Sequence, residues 1–105
     1  VDEFVVADDM RHRKSELERR ASVFVILPGG IGTLEEFFEM LVGRFLGLHD
    51  KPIVLVNTAG FYDPLLEMMR RGIETGFVRP AAWELVEVVD DVPAAVTRLE
   101  EIARD

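Results

Sequence analysis

The sequence predicts an α/β protein, a parallel sheet covered by helices on both faces. Three observations carry this. Strand-like and helix-like runs alternate along the chain as β-α-β-α-β-α-β-α. The strand runs, such as SVFVIL and IVLVN, are apolar throughout rather than alternating, the pattern of strands buried on two faces. A glycine-rich turn, PGGIGT, joins a strand to a helix, where parallel sheets present their ligand sites.

The elements follow in order. Residues 3–7 (EFVVA) are β-branched and apolar, a buried strand. Residues 9–21 read as a strongly charged helix with Met10, Leu17 and Ala21 on one stripe. Residues 22–27 form the clearest strand and stop at Pro28. Over 33–48, Leu34, Phe37, Phe38, Leu41, Phe45 and Leu48 fall at helical spacing. A strand at 53–57 leads through the TAG turn into a helix over about 62–75. Residues 85–89 (LVEVV) give a last strand, and DDVPAAVTRLEEIARD a closing helix with Pro93 in its first turn.

Composition narrows the function. The 105 residues are 49% hydrophobic and 30% charged, which suits one globular domain or part of one. Twelve Lys and Arg against 20 Asp and Glu give a net charge of −8. That balance argues against broad nucleic-acid binding, so any bound anion must be held locally. The chain has no cysteine, which removes disulfide and thiolate chemistry. No apolar run reaches the ~18 residues of a membrane span and no signal peptide is visible, so a cytoplasmic location is expected. The opening, VDEFVVADDM, lacks an initiator Met and reads at once as a strand. It predicts that residues 1–105 are the C-terminal part of a single domain whose N-terminal half is missing.

The glycine turn is the first candidate site. A helix N-terminus has unpaired N–H groups and partial positive charge, and binds phosphate. Gly29, Gly30 and Gly32 let the backbone approach an anion without Cβ interference. The Walker pattern fails, because no Lys precedes Thr33; the dinucleotide fingerprint fails, because Glu35 stands at its third glycine. A single phosphate group fits best. A purely structural alternative stands beside this: Thr33-Leu34-Glu35-Glu36 matches a capping box, with Thr33 as N-cap and Glu36 folding back on it.

The second candidate is MRHRKSELERR, where Met10, Arg13 and Leu17 share a helix face flanked by Lys14. For any one of these cations surface charge is the plain reading. Arg13 and Lys14 differ because their helix follows the strand at 3–7, and adjacent parallel strands bring both helix starts to one rim. His12 and His49 have no plausible metal-ligand partner and read as structural, so no metal is expected.

MRHRK followed by PGGIGTLEE resembles the M-x-x-R-K and P-G-G-x-G-T-x-x-E signature of the LOG ("Lonely Guy") family. These are cytokinin riboside 5′-monophosphate phosphoribohydrolases, often mislabelled lysine decarboxylases. The similarity runs on through LGLHDKPIVLVNTAGFYDPLLEMMRRGIETGF, so it spans about residues 3–80. It implies a Rossmann-like fold, usually a homodimer, that cleaves the N-glycosidic bond of a nucleoside 5′-monophosphate such as AMP to free base and ribose 5-phosphate. Arg13 and Glu36 match the catalytic pair. Met10, Lys14, Gly29, Gly30, Ile31, Gly32, Thr33, Leu34 and Glu35 match substrate contacts. No cofactor is implied. Many plant-type members read TWAQLG where this chain reads VGRFLG, which leaves base and prenyl-group preference open.

Three other readings are set beside this. A pyridoxal phosphate decarboxylase needs a Schiff-base lysine, and the chain has only Lys14 and Lys51. A non-catalytic nucleotide- or cofactor-binding module shares the PGGxGT turn but has no need of a carboxylate at the sugar. A degenerate scaffold would keep the assembly surface alone.

Overall fold

The computed structural model describes residues 4–7 and 22–104. Four strands, β1 (Phe4–Ala7), β2 (Val23–Ile26), β3 (Ile53–Val56) and β4 (Val86–Val89), form one sheet in the order β1-β2-β3-β4. Every neighbouring pair is parallel. Each strand lies within the range its sequence predicts and is shorter by a residue or two. The helix expected at 9–21 lies outside the described residues. Four helices are described: α1 (Ile31–Phe45), α2 (Asp63–Glu74), α3 (Pro80–Trp83) and α4 (Val92–Arg104).

The strand order decides which face each helix covers. Right-handed crossovers that step one strand at a time in one direction place their helices on one face. Accordingly Phe37, Met40 and Leu41 of α1, Leu65 and Leu66 of α2, and Trp83 of α3 pack with Phe24, Ile26, Ile53 and Leu55. The other face, made by Val23, Val25, Val54 and Val56, is covered by Ala95, Leu99 and Ile102 of α4. Alternate residues of a strand point to opposite faces, so β2 and β3 need apolar side chains at every position. An ion pair adds to the α4 contact: Arg98 Nε donates to Glu87 Oε1 of β4 at 2.5 Å.

Two boundaries differ from the sequence reading. The first helix stops at Phe45 rather than 48, because the chain turns at Gly47 with φ +82. There Leu48 N–H reaches the Gly43 carbonyl (2.8 Å) and Gly47 N–H the Arg44 carbonyl (3.0 Å), the paired bonds of a Schellman C-cap. Helix α3, four residues behind Pro80, is too short to leave a periodic signal. It nonetheless places Trp83 edge-on to Phe37, with ring centroids 6.1 Å apart. His49 is structural, as its sequence context predicts. Its Nε2 lies 2.9 Å from the Met40 carbonyl, and its Nδ1 accepts from Lys51 N–H at 3.1 Å. That pair of bonds assigns the proton to Nε2.

Between β3 and α2, Tyr62 is 2% exposed and donates its hydroxyl to the Leu27 carbonyl at 2.6 Å. Burial raises its pKa above the ordinary 10.0. The fold therefore holds the phenol proton more tightly than the unfolded chain does. This contribution is complete below about pH 10 and is lost as pH rises through the raised value. Chemical denaturation from pH 8 to 11 should show stability falling above pH 10, with the fall diminished in Tyr62→Phe.

Candidate active site

Parallel pairing sets Ala7 opposite Ile26 and Ile26 opposite Leu55, so these strands release the chain at one edge of the sheet. That carboxyl edge carries the glycine turn after β2 and the Asn57–Tyr62 turn after β3. β1 ends there at Ala7, beside β2; Met10, Arg13 and Lys14 lie outside the described residues.

The turn enters its helix earlier than the sequence predicts. Gly30 is the N-cap, and its carbonyl accepts from Leu34 N–H at 3.1 Å, so α1 begins at Ile31 rather than at 33. This removes the capping box, because Thr33 is the third helical residue and Glu36 the sixth. The cause is packing. Thr33 is buried, and its side chain lies so near Gly29 that a Cβ there would stand 2.3 Å from Thr33 Oγ1. Glu35 is exposed and Glu36 buried, both beyond the first turn, where the helix dipole favours carboxylates most.

The two glycines before the helix therefore differ. Gly29 is needed by the fold itself, since any side chain collides with Thr33. Gly30 is extended (φ −99, ψ −154), with no atom within 4 Å of an added Cβ. Nothing in the described residues requires glycine there. Having no side-chain oxygen, it also leaves the first-turn N–H groups uncapped from its own position.

Glu36 shares a stripe with Thr33, Phe37, Met40 and Leu41 and is 7% exposed. Carboxylates are rarely so buried unless they are paired or serve a site. Of the other predicted contacts, Ile31 is open to solvent, Gly32 is half-buried, and Leu34 packs partly buried against the core. The structure thus brings Gly29 to Glu36 together on one turn and the two helical turns behind it.

Sequence reasoning missed Asn57 and Tyr62. Asn57 Oδ1 accepts from Tyr62 N–H at 2.6 Å, and Asn57 Nδ2 donates to Asp63 Oδ1 at 2.8 Å. The available signal was a lone Tyr at the head of an apolar helix face, whose buried hydroxyl needs a partner.

A family model described as "Possible lysine decarboxylase" matches residues 1–99. The chain belongs to this family, the LOG family. It is 44% identical over 95 residues to the cytokinin riboside 5′-monophosphate phosphoribohydrolase of Mycobacterium tuberculosis, covering 90% of this chain and 51% of that protein. A probable enzyme of the same name from Oryza sativa subsp. japonica is 41% identical over 101 residues, 96% of this chain and 41% of that one. One from Arabidopsis thaliana is 41% identical over 95 residues, 90% of this chain and 44% of that one. The chain thus spans about half the length, or less, of these LOG-family relatives. The MRHRK and PGGIGTLEE stretches fall within the matched residues.

The difference between the glycines yields a test. Asp is a preferred N-cap, so Gly30→Asp should hold or raise stability in thermal melts. It also puts a carboxylate where a phosphate would meet the helix, so titration calorimetry with AMP should find binding lost. Unchanged AMP affinity would remove the turn from the site.

Proposed function

We propose that the protein hydrolyses the N-glycosidic bond of a nucleoside 5′-monophosphate, releasing free base and ribose 5-phosphate. One observation carries this reading beyond family membership: a buried carboxylate, Glu36, stands behind a glycine turn whose N-cap residue, Gly30, supplies no side-chain cap to the helix start. The turn suits the 5′-phosphate. Glu36, further into the helix, suits the sugar.

Cleavage passes through an oxocarbenium-like state at the anomeric carbon, which a nearby carboxylate stabilises. The C–N bond breaks and its electron pair leaves with the base. Water adds its oxygen to the anomeric carbon as Glu36 accepts a proton from it, and that proton passes to the departing base, which returns Glu36 to its carboxylate. Arg13 stays protonated, so its assigned role is to orient Glu36 and the substrate and to offset developing charge. Met10 and Lys14 join it on the substrate side. Such a substrate fits a cytoplasmic enzyme and needs no cofactor.

The family description raises decarboxylation by way of pyridoxal phosphate, which requires a lysine near the bound phosphate. Lys51 precedes β3 at the amino edge, where the Pro52 carbonyl accepts from Phe24 N–H at 2.9 Å. The glycine turn leaves β2 at the opposite edge. Lys51 Nζ instead sits 5.7 Å from the Phe24 ring centroid.

We also propose a homodimer. Val42, Phe45, Leu46 and Leu48 at the end of α1 are exposed and close in sequence, an apolar patch of the kind that marks an interface.

Three experiments test these readings. Wild-type protein given AMP should release adenine, and given adenosine should release far less, because phosphate binding energy supports catalysis at the sugar. Glu36→Gln should fold and bind AMP while losing ~10²–10⁴-fold in rate; near-wild-type turnover would exclude Glu36 from the chemistry. Separately, light scattering should give a dimer for wild type and a monomer for Phe45→Glu.

A further inference from the structure

We propose that Tyr62 is a positioning residue for the glycine turn, setting the exit angle of β2 so that the backbone amides of the turn meet the substrate phosphate. The inference rests on the hydrolase reading above and deepens it. Leu27 is the residue where the chain leaves the sheet: the paired register of β2 with β3 ends at Ile26 opposite Leu55. Beyond it come Pro28, which has no N–H to donate, and Gly29 and Gly30, which have no side chains to anchor the turn. The Leu27 side chain packs against the second core cluster, and its carbonyl accepts from the Tyr62 hydroxyl, 35 positions along the chain, at 2.6 Å.

Tyr62 is itself held from several sides. Its N–H donates to Asn57 Oδ1 at 2.6 Å, and Asn57 N–H donates to the Val89 carbonyl of β4 at 2.8 Å. Asn57 also bonds Asp63 at the start of α2. Between them Ala59 is held at φ +54, a left-handed conformation that a residue with a Cβ adopts only when its surroundings enforce it. The ring packs edge-on to Phe61 and belongs to the core with Phe24 and Ile26. The phenol is thus a rigid strut from the β3 rim to the turn on β2. A phenylalanine would fill the same space and lose only the strut.

Tyr62→Phe in the full chain separates positioning from mere support. At a temperature well below its melting point, the variant should show KM for AMP raised about five- to tenfold, the range one net hydrogen bond supports, with kcat changed less than twofold. Binding of ribose 5-phosphate, followed by calorimetry, should weaken by the same factor. Asn57→Ala, which frees Tyr62 N–H and keeps the phenol, should move both readouts in the same direction by a smaller factor. A lower melting temperature with KM and ribose 5-phosphate affinity within twofold of wild type would overturn the proposal. Wild type that releases no adenine but binds ribose 5-phosphate more tightly than Tyr62→Phe would sink the hydrolase reading alone and leave the strut standing. Wild type that binds neither ligand would overturn both.

Discussion

Parallel strands release their carboxyl ends at one edge, and that constraint organises this protein. Hydrogen bonding within the ladder fixes the direction of β1 to β4, and burial on both faces fixes β2 and β3 as apolar at every position. Once those hold, Leu27 and Asn57 must leave the sheet side by side. The glycine turn and the Asn57–Tyr62 turn meet because the ladder gives them nowhere else to go. The same constraint keeps Lys51 away, since a residue that precedes a strand emerges at the amino edge.

The start of α1 shows two demands on one short segment. A stable helix wants its first N–H groups capped by a side chain. A phosphate site wants them open. Thr33 is the residue that would cap, yet it is drawn into the helix and buried against Gly29, so the N-cap falls to Gly30. The helix gains its anchorage from packing instead, through Phe37, Met40 and Leu41 on the core. Stability that comes from the far side of the helix leaves the near end available for a ligand.

The sequence made the sheet legible because full burial needs unbroken apolar runs, and those runs marked all four strands to within a residue or two. Helix ends were harder to read. The pattern Thr33-Leu34-Glu35-Glu36 is a valid capping box in isolation; what displaced it is the contact between Thr33 and Gly29, a tertiary fact that no local spacing contains. Gly47 carried the signal for the end of α1, but Leu48 sits at the same helical spacing and masked it. Of the site, the PGGIGT turn and Glu36 were visible as residue types in a pattern. Tyr62 was not, because its partner is a carbonyl 35 residues away that only the fold brings near.

A net charge of −8 is compatible with the proposed phosphate site, because distance separates the two. At physiological ionic strength the screening length is about 8 Å, so charges on the far surfaces contribute little at the rim. What acts there is local. Backbone N–H groups at a helix start are fixed dipoles that need no counterion and cannot fold away, and they favour an anion by geometry rather than by net charge. Glu36 lies on the buried side of that helix, a turn beyond its start, so in the proposed site the phosphate and the carboxylate would stand at different depths. A basic surface would serve the phosphate equally well, but it would also attract every nucleic acid in reach. On the proposed reading, an acidic chain with a backbone cradle favours a small phosphate ester over long polyanions.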